Sequence, residues 1–405
     1  MYVERPCYTG LFLLGGVSSD RTGPTAPAHR VHGLPRALSG VRGLLHRPPR
    51  RWARQGVRTA APEPRGRKTA MPWTISTAGT RHSALLGIGG YRPRRVVGNA
   101  EICRLIDSSE EWIETRSGIV ERRFAAPDES LPVMAAAAAE KALAQAGTLP
   151  ADVDLVLVAS MSNLVQTPPL AVRVAHELGA RAAAALDLSG ACAGFCHALA
   201  LASDAVRAGS AHRVLVVGAE RMTDIVEPTD RTISFLFADG AGAAVVGDSA
   251  TPGIGPVVRR ADGAHGDALR MTAPWAGPGT TSAGPGERPW MRMDGRRVFR
   301  WAMDEVAPAA ARALEEAGTA PGELDAFVPH QANLRMIDLM SERLGLTGRT
   351  AVARDVTRSG NTSAASVPLA LESMLASQQV SSGDTALLVG FGAGLNYAAQ
   401  VVVLP

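Results

Sequence analysis

The chain has 405 residues, a formal net charge of +4, 46% hydrophobic residues and 20% charged residues. That composition supplies a substantial buried core. No apolar run reaches the roughly 18 residues that a helix needs to cross a bilayer. Four cysteines, Cys7, Cys103, Cys192 and Cys196, are too few and too irregular for a disulfide framework and suit a reducing compartment.

The charge is uneven along the chain. Residues 1–70 hold 13 Lys+Arg against 3 Asp+Glu, a net +10, while the remainder holds 29 against 35, a net −6. The basic balance therefore belongs to the leading segment, and a nucleic-acid role does not follow from it. Residues 1–75 show no sustained period and are rich in Arg, Pro and Gly, the composition of a disordered extension. Three readings fit it: an organellar-style presequence, a basic interaction tail, or translated upstream sequence with the true start at Met71. The last is favoured, because "MPWTISTAGT" leads directly into ordered-looking sequence.

From Ser83 onward the punctuation is regular. "ALLGIGGYRP" reads as a strand and turn, and "NAEICRLIDSSEEWIETRSG" as a helix with Asn99 as its cap. "LPVMAAAAAEKALAQAG" is an Ala-rich helix ending at Gly147. "DVDLVLVAS" is a buried strand, "LAVRVAHELGA" a helix and "AAALDLS" a strand. A helix opening near Cys192 and the strand "RVLVVGAE" follow. The order then recurs. "WAMDEVAPAAARALEEAG" is a helix, "ELDAFVPH" a strand, "IDLMSERLGL" a helix and "TAVARDV" a strand. "NTSAASVPLALESMLASQQVSSGD" is a helix after a polar turn, and "TALLVGFGAG" a strand. Asp154 to Cys192 spans 38 residues and Asp325 to Asn361 spans 36. Two copies of alternating strands and helices predict a pseudo-symmetric double α/β/α body with largely parallel sheets, divided as 76–250 and 251–405. The repeat pairs Cys192 with Asn361 and predicts a ligand cleft between them at strand carboxyl ends.

Cys192 stands after a tight Gly190-Ala191 turn at the amino end of a helix. Unpaired amides and the macrodipole there are expected to favour a thiolate. The bland alternative is a small core residue, since cysteines are among the most buried residue types. Cys196, one helical turn on, reads as core, and no Cys or His spacing supports a metal site. His330 and Asn361 each occupy a strand exit facing the expected cleft. A Cys, a His and an amide donor together suit acyl-thioester chemistry.

"DLSGACAGF", "VPHQAN" and "GNTSAASVP" resemble the three active-site segments of β-ketoacyl-acyl-carrier-protein synthase III, a condensing-enzyme family of the thiolase superfamily. "SSEEWIETRSGIVERR", "DGAGAAVVG" and "GFGAG" match as well, so the resemblance runs from about Leu85 to Pro405. It implies a thiolase-like, duplicated five-layer α-β-α-β-α fold with pseudo-two-fold halves, usually in a homodimer. It also implies decarboxylative condensation of an acyl-CoA primer with malonyl-acyl-carrier protein, the entry step of fatty-acid synthesis. On the matching positions Cys192 is the nucleophile, and His330 and Asn361 bind the malonyl thioester carbonyl and its enolate. The backbone amides of Cys192 and Ala393 hold the acyl oxyanion. Trp112, Arg116 and Arg231 contact the CoA adenine end, and Asn333 lines the pantetheine tunnel. Arg335 receives the carrier protein, and Thr167 takes the place of an acyl-pocket gate that crosses the dimer interface. No cofactor or metal is implied, the thioesters being substrates, and the expected location is cytoplasmic without nucleic-acid or membrane partners.

The sequence departs from the family pattern at Gly190-Ala191, Ala238, Ala393 and Thr167. The small Thr167 predicts a pocket wider than acetyl requires. Three other readings are weighed. One is a relative that primes a polyketide or other secondary pathway. Another is a catalytically inactive binding homologue, which the intact Cys192, His330 and Asn361 argue against. A 3-hydroxy-3-methylglutaryl-CoA-type synthase ranks last, because no Glu stands in a matching segment.

Overall fold

The computed structural model describes residues 81–274, 288–346 and 348–405. The basic extension expected over residues 1–75 lies outside them.

Strand β1 (His82–Tyr91) is followed by a small antiparallel pair, β2 (Arg95–Gly98) and β3 (Glu121–Phe124), with α1 (Asn99–Ile102) and α2 (Glu110–Ser117) between them. Then come α3 (Leu131–Gln145), β4 (Leu155–Ala159), α4 (Leu170–Leu178), β5 (Ala184–Leu188), α5 (Gly194–Arg207), β6 (Arg213–Arg221) and β7 (Asp239–Ser249). The chain continues with β8 (Val258–Ala261), a second small pair, β9 (Leu269–Met271) and β10 (Met291–Met293), and α6 (Gly295–Trp301). It closes with α7 (Ala307–Ala317), β11 (Ala326–Pro329), α8 (Leu334–Arg343), β12 (Ala351–Val352), α9 (Val356–Ser359), α10 (Ser366–Ala376), β13 (Thr385–Gly392) and β14 (Asn396–Val403).

Two five-stranded sheets organise the molecule, ordered β1-β7-β6-β4-β5 and β8-β14-β13-β11-β12. Adding seven to each label of the first order gives the second, so the duplication extends to sheet topology. Each sheet is parallel only on one side. β6-β4-β5 and β13-β11-β12 run parallel, whereas β1, β7, β8 and β14 pair antiparallel. The expectation of largely parallel sheets is corrected accordingly: each copy closes on an antiparallel pair, β6–β7 or β13–β14, which needs no helical crossover.

Helices α5 and α10 lie between the sheets, and each packs on both of them. Sequence explains why they tolerate that position. α5 buries Gly194, Phe195, Cys196, Ala198, Leu199, Ala200, Ala202, Ser203 and Val206, leaving little polar surface, and a helix that is apolar on most sides belongs in a core. α3 and α4 cover the outer face of the first sheet, and α7 the outer face of the second. The result is the helix–sheet–helix–sheet–helix layering that the repeat implied.

Local readings differ in three places. The segment from Asn99 forms two helices rather than one. Asn99 does not cap: its Nδ2 donates to the Ile119 carbonyl and its Oδ1 accepts from the buried Arg122 guanidinium, both at 2.8 Å. Ser109 caps α2 instead, accepting from the Trp112 amide. "TAVARDV" is a strand only at Ala351–Val352 before α9 begins. In "WAMDEVAPAAARALEEAG" a π-helical turn over Ala302–Val306 separates α6 from α7. Its excess residue lets Pro308 enter at the second position of α7, where a missing amide costs little.

Candidate active site

Strand β5 hands the chain to Gly190 and then to a 3₁₀ turn, Ala191–Ala193, that opens α5. Ala191 is held at φ +45°, in the left-handed region, a conformation worth of order 1–3 kcal/mol of strain in a non-glycine residue. This kink lifts Cys192 off the strand axis and turns it toward the end of β13. The approach is close: a Cβ on Gly392 would sit 2.7 Å from the Cys192 Cβ and 3.0 Å from its sulphur.

Cys192 is 4% exposed. The hydroxyl of Ser363 and the amides of Cys192 and Ala393 each lower the thiol pKa. Burial outweighs them and pushes it up from the ordinary 9.0 to about 12. The expected thiolate is therefore corrected to a neutral thiol. The macrodipole argument failed because it compares ends of a helix in water, whereas here desolvation dominates.

His330 follows β11, its amide donating to the Val389 carbonyl at 2.6 Å. Its ring stands edge-on to Phe391, with centroids 5.1 Å apart. Nδ1 lies 2.7 Å from the Ser366 hydroxyl, which also accepts from the Gln331 amide at 3.3 Å. The hydroxyl keeps a second lone pair, so it donates to Nδ1 or accepts from it according to the ring tautomer. Burial alone drives the imidazole pKa down to about 3, so the ring is neutral. Asn361 is fixed by backbone bonds to Leu236 and Ala238. Its Oδ1 accepts from the Ser363 amide at 2.9 Å, leaving the NH₂ group as a free donor.

Cys192, His330 and Asn361 share one cavity of about 580 Å³. Its inner walls include Phe237, Phe391, Leu269 and Met336, and its rim carries Arg116, Arg296, Arg300, Arg335 and Arg343. A deep apolar channel with a cationic mouth suits a long chain that ends in phosphate.

The remaining candidates divide. Arg116, Asn333 and Arg335 line the cavity, and Asn333 also caps α8 by accepting from the Met336 amide at 3.0 Å. Trp112 and Arg231 are not part of its lining. They form a pair beside it, with the Arg231 guanidinium 6.0 Å from the Trp112 ring and Trp112 edge-on to the cavity residue Phe235. Thr167 lies on an exposed loop and does not reach the cavity of its own chain.

Sequence reasoning missed several groups. Arg296 and Arg300 sit one helical turn apart in "GRRVFR", a spacing legible in advance. Glu220 is the more consequential omission. It is fully buried at the carboxyl end of β6, the same kind of position that singled out His330. The repeat register is corrected. Ala191–Ala193 and Ser363–Ala365 are the equivalent 3₁₀ turns, both led by a residue with positive φ. The repeat-mate of Cys192 is thus Ala364, and Asn361 lies just ahead of the second turn.

Comparison with known proteins closes the question of kinship. Residues 186–263 match the family model described as 3-oxoacyl-[acyl-carrier-protein] synthase III, and residues 314–404 match its C-terminal companion. β-Ketoacyl-[acyl-carrier-protein] synthase III of Streptomyces lividans is 56% identical over 326 residues, covering 80% of this chain and 95% of the relative. The chain belongs to the β-ketoacyl-acyl-carrier-protein synthase III family. The mycobacterial family member from Mycobacterium tuberculosis (strain ATCC 25618 / H37Rv) is 48% identical over 330 residues, covering 82% of this chain and 98% of that protein. Among solved structures, the priming β-ketosynthase of the R1128 polyketide pathway is similar with a TM-score of 0.78 and 56% identity, over 80% of this chain and 97% of its own. The Aquifex aeolicus family member gives 0.73 and 34%, over 79% and 99%.

Proposed function

We propose that this synthase transfers an acyl group from acyl-CoA to Cys192 and condenses it with malonyl-acyl-carrier protein, releasing CO₂ and a 3-oxoacyl-carrier protein. The observation that carries this is the convergence of Cys192, His330 and Asn361 on a single channel with an arginine rim. The amides of Cys192 and Ala393 would receive the acyl oxyanion. The His330 Nε2–H and the Asn361 NH₂ would donate to the malonyl thioester oxygen as decarboxylation builds an enolate. Both donors are neutral and preorganised, which suits developing negative charge. Decarboxylation generates the carbanion, so that half-reaction needs no base.

Arg116, Asn333 and the Trp112–Arg231 pair would hold CoA, and Arg335 with Arg300 would meet the acidic carrier protein. No cofactor or metal enters this scheme. A homodimer fits β5, an edge strand that leaves Leu186 57% exposed beside the nucleophile turn. A free apolar edge invites strand pairing with a second copy, and Thr167 would then gate the partner's channel. Among the described residues no helix is long and apolar enough to cross a membrane, and we place the enzyme in the cytoplasm. A second reading, priming of a polyketide pathway, is favoured by the likeness to the R1128 enzyme. Incubation with acyl-CoAs of graded size and malonyl-acyl-carrier protein tests the activity by the mass of the carrier. A 3-oxoacyl adduct, with branched or longer primers outpacing acetyl, is expected. Absence of any adduct refutes the reading.

A further inference from the structure

Glu220 has no place in the scheme above, yet it is fully buried. Its hydrogen-bond partners among the described residues are amides and hydroxyls from two elements. The loop after β4 supplies the Ser160 hydroxyl (3.2 Å), the Met161 amide (3.2 Å), and the amide (3.1 Å) and hydroxyl of Ser162. The second 3₁₀ turn supplies the Ser363 hydroxyl at 3.0 Å and the Ala364 amide at 3.4 Å. Amides can only donate, so a carboxylate, which only accepts, satisfies both elements at once.

The turn that Glu220 holds adjoins the Asn361 donor. β6 meets this turn with two residues of one face. Gly218 has no side chain, and a Cβ there would lie 2.3 Å from the Ala364 carbonyl oxygen; Glu220 follows two residues on. The Asn361 backbone is fixed by Leu236 and Ala238, but those bonds leave its carboxamide free to turn. The carboxamide takes its direction from the Ser363 amide, which donates to Oδ1 at 2.9 Å. Ser363 in turn is held by its hydroxyl on Glu220. A continuous series of hydrogen bonds therefore runs from the β4 exit loop through Glu220 and Ser363 to Asn361 in the channel wall. We propose that Glu220 is a positioning residue that, through Ser363, aims the Asn361 NH₂ group at the malonyl thioester oxygen. The inference rests on the condensation reading above and deepens it.

A direct electrostatic role has the wrong sign. A buried negative charge opposes an enolate forming nearby, so Glu220 assists only through the geometry it imposes. Burying it also costs the fold stability. Burial pushes its pKa up from the ordinary 4.5 to about 7, even against the donors around it. What the carboxylate supplies in return is a fixed span between the β4 exit loop and the second turn. Charge-assisted hydrogen bonds of this kind are stronger than neutral ones and hold both elements to one geometry.

Ser363→Ala removes the link with little risk to the fold. Ser363 sits at φ +49° and its repeat counterpart Ala191 at +45°, so alanine is already accepted in this turn. Glu220→Gln keeps the shape but has one oxygen for two sets of donors. Its NH₂ group must face either the Ala364 amide or the amides of Met161 and Ser162. Two rates are measured on the full chain: decarboxylation of malonyl-acyl-carrier protein, as kcat and KM, and the burst of CoA released from acyl-CoA. A misplacement of about 1 Å costs about 10²-fold in rate. In each variant kcat for decarboxylation should fall about 10- to 100-fold. KM should change less than about threefold, as for a contact made only in the transition state, and the CoA burst should slow by less than about threefold. In an Asn361→Ala background, Ser363→Ala should slow decarboxylation less than about twofold further, because the group it positions is gone. Faster decarboxylation in Glu220→Gln would show that its charge is felt rather than its geometry, and overturns the proposal. So does unchanged decarboxylation in both variants, or a burst that falls in step with decarboxylation. Equal losses from Ser363→Ala with and without Asn361 overturn it as well. A wild-type chain that neither releases CoA nor decarboxylates the malonyl carrier counts against the proposed function instead.

Discussion

The turn Ala191–Ala193 ahead of α5 and the turn Ser363–Ala365 ahead of α10 share a backbone, each entered through a residue near φ +45° to +50°. Their chemistry differs. The first presents a thiol at its second residue, where the other carries only the methyl of Ala364. The second places its heteroatoms on the flank, with Asn361 before the turn and Ser363 at its head. The strands beneath are exchanged in the same sense. β13 ends at Gly392 under the thiol, and β6 carries Glu220, its penultimate residue, under the hydroxyl. Duplication therefore fixes where a side chain can enter the shared channel, while single substitutions decide what enters.

The largest effect is expected from forcing the two turns to trade roles. Cys192→Ala with Ala364→Cys keeps one thiol at a helix mouth but moves it away from the paired amides of Cys192 and Ala393. Condensation should fall at least about 10³-fold, as for loss of a covalent nucleophile. Recovery of activity by the swapped thiol would mean that the turns are chemically interchangeable. Next is Asn361→Asp, which retains the acceptor for the Ser363 amide but loses the NH₂ donors. Malonyl decarboxylation should drop about 10²–10³-fold, whereas CoA release in the acylation burst should change less than tenfold.

Smaller effects come from the glycines that let each strand approach the opposite turn. A Cβ on Gly218 would meet the Ala364 carbonyl oxygen at 2.3 Å, and one on Gly392 would meet the Cys192 Cβ at 2.7 Å. Overpacking of this kind costs about 1–3 kcal/mol. Gly218→Ala should lower the denaturation midpoint more, because backbone yields less than a side chain. Gly392→Ala should lose more activity for the same loss of stability. Felt only at acid pH is the term at His330. Its folded pKa of about 3 lies below the ordinary 6.5. The unfolded chain therefore binds the proton first, and stability falls as pH drops from 6.5 toward 3. His330→Asn should flatten that part of a midpoint-against-pH curve, and an unchanged slope would place the acid sensitivity elsewhere.

Much of the layered fold was legible because Gly, Pro and Asn mark the element ends and the same order appears twice. Cys192 and His330 were legible for a related reason, since each polar residue interrupts an apolar strand exit. Glu220 escaped because "RVLVVGAER" reads as one continuous strand, and its partners lie at Ser162 and Ser363, remote in sequence. The thiol's protonation state escaped because desolvation is set by packing across both halves, which no local pattern reports. The repeat register slipped because "RSGNTS" precedes the second turn with more polar residues than "DLSG" precedes the first. Asn99 looked like a cap until Arg122, 23 residues later, claimed its side chain.

Intact-protein mass spectrometry after incubation with an acyl-CoA, before and after addition of malonyl-acyl-carrier protein, tests the division of labour in the shared channel most directly. The account predicts that wild type gains one acyl group at Cys192 and then discharges it. Cys192→Ala gains none, and His330→Ala gains it but retains it. An acyl adduct on Cys192→Ala, or loss of acylation in His330→Ala, would contradict the account.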